Sequence, residues 1–272
     1  MREQLSSLPN FIKRFISGLF LIPLTVALIL AGSLWTTGMM ILIALGLSYE
    51  WMKLANFEKT KKALFFYGII LGSIGAYTLW GIRMSGALLL STSTFFYYCV
   101  SRFQKHQTEK LAPWFFWGML YVGIPSLSFL WVRDHSEHGG LILIWALCVI
   151  WASDIGAYYI GTWVGGPKLA PHISPKKTWS GFFGGLFLAV LVGISGGLWI
   201  GLENLSVLVG MTIGISILGV LGDLLESALK RFWGVKDSGS LIPGHGGLLD
   251  RLDSILIVLP ALAVSIAFLG AV

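Results

Sequence analysis

The sequence predicts an all-α protein, a bundle of helices that crosses a membrane several times. Of its 272 residues, 56% are hydrophobic and only 12% are charged, and the mean hydropathy is +0.79. Soluble globular domains carry about 25% charged residues. Several apolar runs reach the roughly 20 residues that a helix needs to cross a hydrocarbon core of about 30 Å. Strands of a membrane barrel would alternate apolar and polar residues over about ten positions, and these runs do not.

Nine apolar runs qualify as membrane spans, and we expect them to form one integral membrane domain over residues 1–272. They cover residues 13–32, 36–54, 63–80, 85–101, 113–132, 140–163, 181–200, 204–226 and 253–271. The first run lacks a convincing small-x-small cleavage site and other spans follow it, so we interpret it as a retained anchor rather than a signal peptide. Cys99 and Cys148 fall within spans and are expected to pack as small apolar groups.

The distribution of basic residues predicts the orientation of the chain. If the N-terminus lies inside, alternate connections place all of the 19 Lys and Arg residues on that side except Arg83 and Arg133. An excess of Lys and Arg is typical of cytoplasmic loops. We therefore expect a cytoplasmic N-terminus and an outer C-terminus in a bacterial inner membrane. The net charge of +6 is then explained by basic cytoplasmic loops beside the membrane and does not indicate a nucleic-acid partner.

Two cytoplasmic connections, 164–180 and 227–252, differ from the other loops. Both are long, basic and rich in Gly and Pro, which argues against simple extension of the flanking helices. Loops held between rigid elements often carry function. We therefore expect the catalytic site in spans 140–271, with spans 13–132 as an N-terminal part. The outward loop that contains His135, Glu137 and His138 is interpreted as solvated and not as a metal site.

Acidic residues inside the predicted spans are the strongest indication of a functional site. An aspartate at the centre of a membrane helix costs about 2.5–3.5 kcal/mol on insertion scales, so such residues are functional candidates by default. Four residues meet this description: Glu50, Asp154, Asp223 and Glu226. We expect their side chains to point into protein or water, because lipid would exclude them.

Helical spacing groups these acids with neighbouring polar residues. Asp223 and Glu226 are three residues apart, and Ser227 and Lys230 extend the same helix face. A second pair with the same spacing stands at the cytoplasmic mouth of the last span and comprises Asp250 and Asp253, with Arg251 between them. Two acidic helix ends are therefore expected on the same side of the membrane.

Carboxylates beside several basic residues indicate a magnesium and phosphate site. Mg²⁺ binds through one or two carboxylates and the phosphate oxygens of the substrate. The alternative is that these acids form buried ion pairs with Lys230, Arg231 and Arg251. The segment GHGG places Gly244, Gly246 and Gly247 beside His245, where backbone N–H groups can surround an anion. The sequence contains no Walker-type P-loop, HExxH or GxSxG motif.

Residues 227–253, SALKRFWGVKDSGSLIPGHGGLLDRLD, resemble the signature of the phosphatidate cytidylyltransferases, also called CDP-diacylglycerol synthases. Every fixed position of that signature is filled. SPKKTW at 174–179 and SDIGAY at 153–158 are similar to further segments of the family. The close resemblance covers about the C-terminal 45% of the chain. The family often has Glu where this chain has Ser180, so no role of that acid is carried over.

The resemblance implies that CTP and phosphatidic acid react to give CDP-diacylglycerol and pyrophosphate, a step of phospholipid biosynthesis that uses Mg²⁺. It also implies a homodimer. The predicted catalytic residues are Asp223, Asp250, Lys230 and His245. We expect Asp223 and Asp250 to be the leading Mg²⁺ ligands of one shared site. Further candidates, for this metal or for a second cation, are Asp154, Glu226 and Asp253. The predicted substrate-binding residues are Lys176, Lys177, Arg231, Lys236, Gly246, Gly247, Arg251 and Ser227.

Two other functions would also use part of this pattern. A proton- or cation-coupled transporter could use the intramembrane acids as a relay. Transporters often show inverted repeats, however, and here the motifs gather in roughly the last 120 residues. A CTP-dependent polyprenol kinase would also bring a nucleotide to a lipid, and the phosphate that is transferred distinguishes it from a cytidylyltransferase.

Overall fold

The computed structural model describes residues 10–59, 61–103, 111–239, 241 and 246–269. This part of the chain forms eight helices and one short β-hairpin. The helices are α1 (Asn10–Leu30), α2 (Ser33–Leu54), α3 (Lys61–Phe103), α4 (Leu111–His135), α5 (Gly139–Val164), α6 (Trp179–Trp199), α7 (Leu205–Phe232) and α8 (Leu249–Leu269). The strands, between α5 and α6, are β1 (Lys168–Ala170) and β2 (Ser174–Thr178). The predicted helical membrane class is confirmed.

The hairpin is a departure from the all-α prediction. β1 pairs antiparallel with β2 inside the predicted loop 164–180. Gly165 and Gly166 have φ angles of 66° and 102°, which end α5 and turn the chain into β1. At the other end, Thr178 caps α6 because its hydroxyl accepts a hydrogen bond from Gly181 N at 3.1 Å. Ser180 donates to Gly165 O and thereby closes the base of the hairpin.

Helix α3 folds back on itself rather than forming a straight rod. Its backbone leaves the helical region at Gly81, where φ is 78° and ψ is −175°. The rings of Phe65 and Phe96 lie 5.6 Å apart. In a straight helix, about 31 residues would separate them by roughly 46 Å. The two halves therefore run antiparallel, at the positions of the predicted spans 63–80 and 85–101.

Six described helices are long and apolar enough to cross a membrane. They are Lys62–Cys99, Ala112–His135, Gly139–Val164, Trp179–Trp199, Leu205–Phe232 and Leu249–Phe268. Gly18–Leu30 is a shorter apolar helix. The number of nine spans and the sides of the two termini stay predictions.

The second predicted loop, 227–252, is shorter in the structure because both neighbouring helices extend into it. Helix α7 continues to Phe232, supported by an ion pair between Glu226 and Lys230 one turn apart. Beyond its last residue the chain turns at Gly234, which has a φ angle of 70°. Val235 N donates to Lys230 O at 2.9 Å, as in a Schellman motif. Helix α8 begins at Leu249, so Asp250 lies in its first turn.

Close contact between α5 and α6 fixes the position of Asp154. A Cβ atom at Gly156 would lie 2.7 Å from Gly184 O, so the two backbones approach to a distance that only glycine permits here. Small residues are the usual means of close helix packing in membranes. The hydroxyls of Ser153 and Ser216 are 2.8 Å apart and buried, and they join α5 to α7. Asp154 follows directly and is therefore held beside α7.

An aromatic cluster connects the N-terminal helices to the end of α7. The ring centroid of Trp51 lies 5.2 Å from that of Tyr121 and 5.4 Å from that of Trp233. Trp114 packs on Trp233 at 4.8 Å, and Trp51 Nε1 donates to Trp114 O at 2.9 Å. The end of α7 therefore rests on α2 and α4.

A separate polar group lies at the opposite end of the bundle. Asp134 Oδ2 accepts hydrogen bonds from Ser33 Oγ at 3.1 Å and from Tyr77 OH at 3.0 Å. Arg133 Nε donates to Ile29 O at 2.8 Å. His135 packs on the ring of Trp131 at 4.2 Å. These contacts tie α4 to its neighbours.

Candidate active site

Three aspartates from three helices meet at one end of the bundle. We call Asp154 of α5, Asp223 of α7 and Asp253 of α8 the aspartate cluster. They lie close enough for their charges to interact, and Lys177 of β2 interacts with all three. Lys177 Nζ is 2.7 Å from Asp223 Oδ2, and Ser227 Oγ donates to Asp223 Oδ1 at 3.2 Å. Three carboxylates beside this ammonium group leave an excess of negative charge.

The close approach of α7 and α8 brings Asp223 and Asp253 together. A Cβ atom at Gly222 would lie 2.6 Å from Asp253 O and 3.0 Å from Ser254 Cα. Glycine at this position lets the two helices touch through their backbones. The neighbouring residue, Asp223, is thus placed beside α8 while still reaching the hairpin.

A second group of charges lies one turn after Asp223 on α7 and one turn before Asp253 on α8. In this Lys230 cluster, Lys230 Nζ is 2.7 Å from Asp250 Oδ1 and also pairs with Glu226. The side chains of Lys230, Glu226 and Asp250 are 13%, 4% and 10% exposed, respectively. Asp250 additionally accepts the backbone N–H groups of Ser238, at 3.1 Å, and Gly247, at 2.9 Å. The cluster fastens the end of α7 to the start of α8.

The sharing of one metal site by Asp223 and Asp250 stays a prediction. These residues contact different lysines, Lys177 and Lys230 respectively. Helices α7 and α8 run antiparallel, so a residue farther along α7 lies beside a residue nearer to the start of α8. Asp223 therefore lies beside Asp253, and the following turn of α7 lies beside Asp250.

The aspartate cluster fits a divalent cation better than Asp250 does. Within the described residues, no three His, Cys, Asp or Glu side chains form a ready-made metal site. Mg²⁺ needs only one or two carboxylates when phosphates supply other oxygens. The cluster offers three carboxylates beside one lysine, whereas Asp250 alone accepts hydrogen bonds from Lys230 and from two backbone N–H groups. The roles of all five predicted metal ligands stay predictions.

The predicted phosphate-binding cations occupy different positions around these clusters. Lys176 and Lys177 alternate along β2, so that Lys177 reaches Asp223 while Lys176 is exposed. Arg231 Nη1 donates to Val235 O at 3.1 Å at the end of α7. Four of the predicted substrate-binding cations are exposed in the described part of the chain: Lys176, Arg231, Lys236 and Arg251.

The predicted anion-binding glycines are partly used by the protein itself. Gly247 N–H donates to Asp250, and Gly246 adopts a φ angle of 90° that L-residues rarely accept. Gly244 and His245 lie outside the described residues. Binding of a phosphate by Gly246 or Gly247 stays a prediction.

Two residues outside the predicted catalytic, metal-binding and substrate-binding sets complete this end of the bundle. Glu50 of α2 is fully buried, and its Oε2 accepts hydrogen bonds from Leu249 N at 2.8 Å and Ser238 Oγ at 3.1 Å. Glu50 was recognisable as an acid inside a span. Ser238 gave no signal, because a serine in a polar, glycine-rich loop is unremarkable by sequence.

A groove of about 400 Å³ lies elsewhere between α7 and α8 and is distinct from both clusters. Its walls include Val207, Met211 and Ile215 of α7, and Val258 and Leu262 of α8. Such an apolar lining is unsuited to a nucleotide or a phosphate group.

Comparison with known proteins agrees with the signature in residues 227–253. Residues 12–269 match the model of the cytidylyltransferase family. The phosphatidate cytidylyltransferase of Staphylococcus aureus (strain COL) is 44% identical over 146 residues, or 53% of this chain and 55% of that protein. The match thus spans about half the length of this relative. The phosphatidate cytidylyltransferase of Brucella suis biovar 1 (strain 1330) is 34% identical over 263 residues, or 91% of this chain and 90% of that protein. With a family match over nearly its whole length, the chain belongs to the cytidylyltransferase family.

Proposed function

We propose that this chain is an integral membrane phosphatidate cytidylyltransferase, which transfers CMP from CTP to phosphatidic acid and releases pyrophosphate. The observation that carries this proposal is the aspartate cluster beside Lys177, at the end of the bundle where the basic hairpin meets α7 and α8. The names of the relatives support the same substrates.

The reaction joins two anions. A phosphate oxygen of phosphatidic acid attacks the α-phosphorus of CTP and forms a new P–O bond. The bond from the α-phosphorus to the oxygen that bridges it to the β-phosphorus breaks, and pyrophosphate leaves with that electron pair. The attacking phosphate is already largely ionised at neutral pH, so a general base is not required. The protein must mainly hold the two anions in line and offset their repulsion.

The aspartate cluster would hold Mg²⁺ through one or two of its carboxylates, those of Asp154, Asp223 and Asp253, with phosphate oxygens as further ligands. A bound Mg²⁺ neutralises phosphate charge and orients the reacting groups. Lys177 holds the Asp223 carboxylate in place and adds a positive charge beside the phosphates. The exposed basic residues Lys176, Arg231, Lys236 and Arg251 attract the triphosphate.

In this proposal the Lys230 cluster positions the helices and does not meet the substrate directly. Lys230 is largely buried between Glu226 and Asp250, and their charges offset its own. The cluster keeps α7 and α8 in the register that places Asp223 beside Asp253.

The proposal includes the orientation of the molecule. Nine spans with the N-terminus inside place the site at the cytoplasmic face of a bacterial inner membrane, where CTP is available and the lipid arrives from the bilayer. The strong bias of Lys and Arg toward that side supports this orientation. A homodimer is the proposed assembly.

The decisive test is to incubate the purified protein with phosphatidic acid and CTP, with and without Mg²⁺. We expect pyrophosphate release that depends on all three, and transfer of the label from α-³²P CTP into the lipid. Incorporation of the γ-phosphate instead would identify a lipid kinase. Ion flux in liposomes without a CTP-dependent lipid product would identify a transporter.

A further inference from the structure

Glu50 is a buried carboxylate in the N-terminal part of the chain that contacts the signature region. It lies near the end of α2 and its exposed fraction is 0%. A buried carboxylate is costly unless hydrogen bonds satisfy its oxygens. Leu249 N and Ser238 Oγ both donate to Oε2, while Oε1 has no hydrogen-bond partner among the described residues. The partners are 199 and 188 residues away in sequence, so they connect distant parts of the fold.

Ser238 connects Glu50 to the Lys230 cluster. Its hydroxyl donates to Glu50, while its backbone N–H donates to Asp250 at 3.1 Å. Leu249, the other partner of Glu50, directly precedes Asp250. Glu50 is therefore linked to Asp250 by two routes, through Ser238 and through Leu249. Asp250 in turn forms an ion pair with Lys230 at 2.7 Å.

The local glycines fit around the Glu50 carboxylate. A Cβ atom at Gly239 would lie 2.4 Å from Glu50 Oε1. A Cβ atom at Gly247 would lie 2.7 Å from Glu50 Oε2 and 1.9 Å from Ser238 Oγ. Side chains at these two positions would occupy the space that Glu50 fills. The segments 238–239 and 246–249 are thus shaped by the presence of this carboxylate.

We infer that Glu50 is a positioning residue, which holds segments 238–239 and 246–249 so that α7 and α8 keep the register of the active site. The inference rests on the proposed function for its catalytic consequence. Its structural content is independent of the reaction. It gives the N-terminal helices a part in forming the site, beyond anchoring the protein in the membrane.

The structural test is hydrogen exchange of the purified protein, comparing Glu50→Ala with Leu47→Ala. Leu47 lies one turn earlier on α2, is 1% exposed, and serves as a control for loss of a buried side chain. In Glu50→Ala we expect the amides in peptides covering 234–252 to exchange about tenfold faster or more, as for loss of hydrogen bonds to a charged group. In Leu47→Ala these peptides should keep the wild-type rate. Unchanged exchange in Glu50→Ala, or an equal increase in both variants, would overturn the inference.

The functional test measures kcat and KM for CTP and phosphatidic acid in the same variants. Glu50→Gln keeps the size and one acceptor oxygen, so its kcat should fall between those of the wild type and Glu50→Ala, while Leu47→Ala keeps the wild-type kcat. If Glu50→Ala cannot be purified, Glu50→Gln decides: faster exchange in 234–252 supports the inference and wild-type exchange overturns it. If the wild type makes no lipid product from CTP, the proposed function fails, while the exchange rates still decide whether Glu50 holds these segments.

Discussion

At the residue scale, one turn of helix separates two kinds of acid. Asp223 and Asp253 belong to a cluster of three carboxylates beside the partly exposed Lys177, whereas Glu226 and Asp250 share the largely buried Lys230. The first kind lies where a cation could bind, whereas the second is buried around one ammonium group between the helices. Substitutions in the two clusters should therefore fail in different ways.

Replacing Asp223 with Asn should abolish catalysis without preventing insertion or folding. The change keeps the shape of the side chain but removes the charge that a cation needs, and we expect kcat to fall by about a hundredfold or more, as for other charge-stabilising groups. The assay is Mg²⁺-dependent pyrophosphate release. Asp134→Asn is the matched control, because Asp134 bonds Ser33 and Tyr77 at the other end of the bundle. Near-normal activity of purified Asp223→Asn would remove this residue from the metal site.

Replacing Lys230 with Ala should chiefly destabilise the protein. It leaves Glu226 and Asp250 buried without their ammonium partner, and breaking a buried ion pair in this way costs about 3–5 kcal/mol. Lys177→Ala is the comparison, because the Lys177–Asp223 pair is 24% and 34% exposed and such a pair contributes about 1 kcal/mol or less. Thermal unfolding in detergent should show a much larger drop for Lys230→Ala. Equal melting temperatures would contradict the structural role of Lys230.

The sequence allowed the acids to be predicted but not their partners. Asp154, Asp223 and Glu226 were recognisable because a charge inside a span is costly. The pairing of Asp223 with Asp253 depends on the register between α7 and α8. That register is set by contacts such as Gly222 against Ser254, which spacing within one helix cannot reveal.

At the element scale, glycine contacts decide how near the helices come. Gly156→Ala should push α5 away from α6, because its Cβ would lie 2.7 Å from Gly184 O, and Asp154 should move with α5. We expect lower thermal stability and lower activity. Gly210→Ala on α7 is the control, since nothing lies within 4 Å of its Cβ among the described atoms. A Gly156→Ala protein as stable and active as Gly210→Ala would show that this contact is not needed.

The elements themselves were predicted well where length and apolarity decide them. The spans within α4 to α8 coincide with described helices, and the fold-back of α3 at Gly81 lies between two predicted spans. The hairpin in 164–180 was missed because its strands are only three and five residues long, too short to show a regular alternation. The ends of α7 and α8 were misplaced because charged residues there continue the helices instead of ending them.

At the scale of the whole molecule, the proposed orientation predicts which thiols a membrane-impermeant reagent can reach. In a background with Cys99 and Cys148 replaced by Ala, Lys236→Cys should react only after the cells are permeabilised. His138→Cys should react in intact cells, because it lies in the loop predicted to face outward. The same labelling pattern at both positions, or the reverse pattern, would contradict the orientation.

The whole molecule is also joined across its length by the aromatic cluster of Trp51, Trp114 and Trp233 and by the hydrogen bonds of Glu50. These contacts limit how halves of this chain can be exchanged with those of a relative. A fusion point between α4 and α5 separates Glu50 and Trp51 from the residues of the signature that they contact. The two halves of such a chimera must therefore come from proteins whose contact residues fit one another. Grafting the signature half alone onto a foreign set of N-terminal helices would transplant the reactive groups without the surface that aligns them.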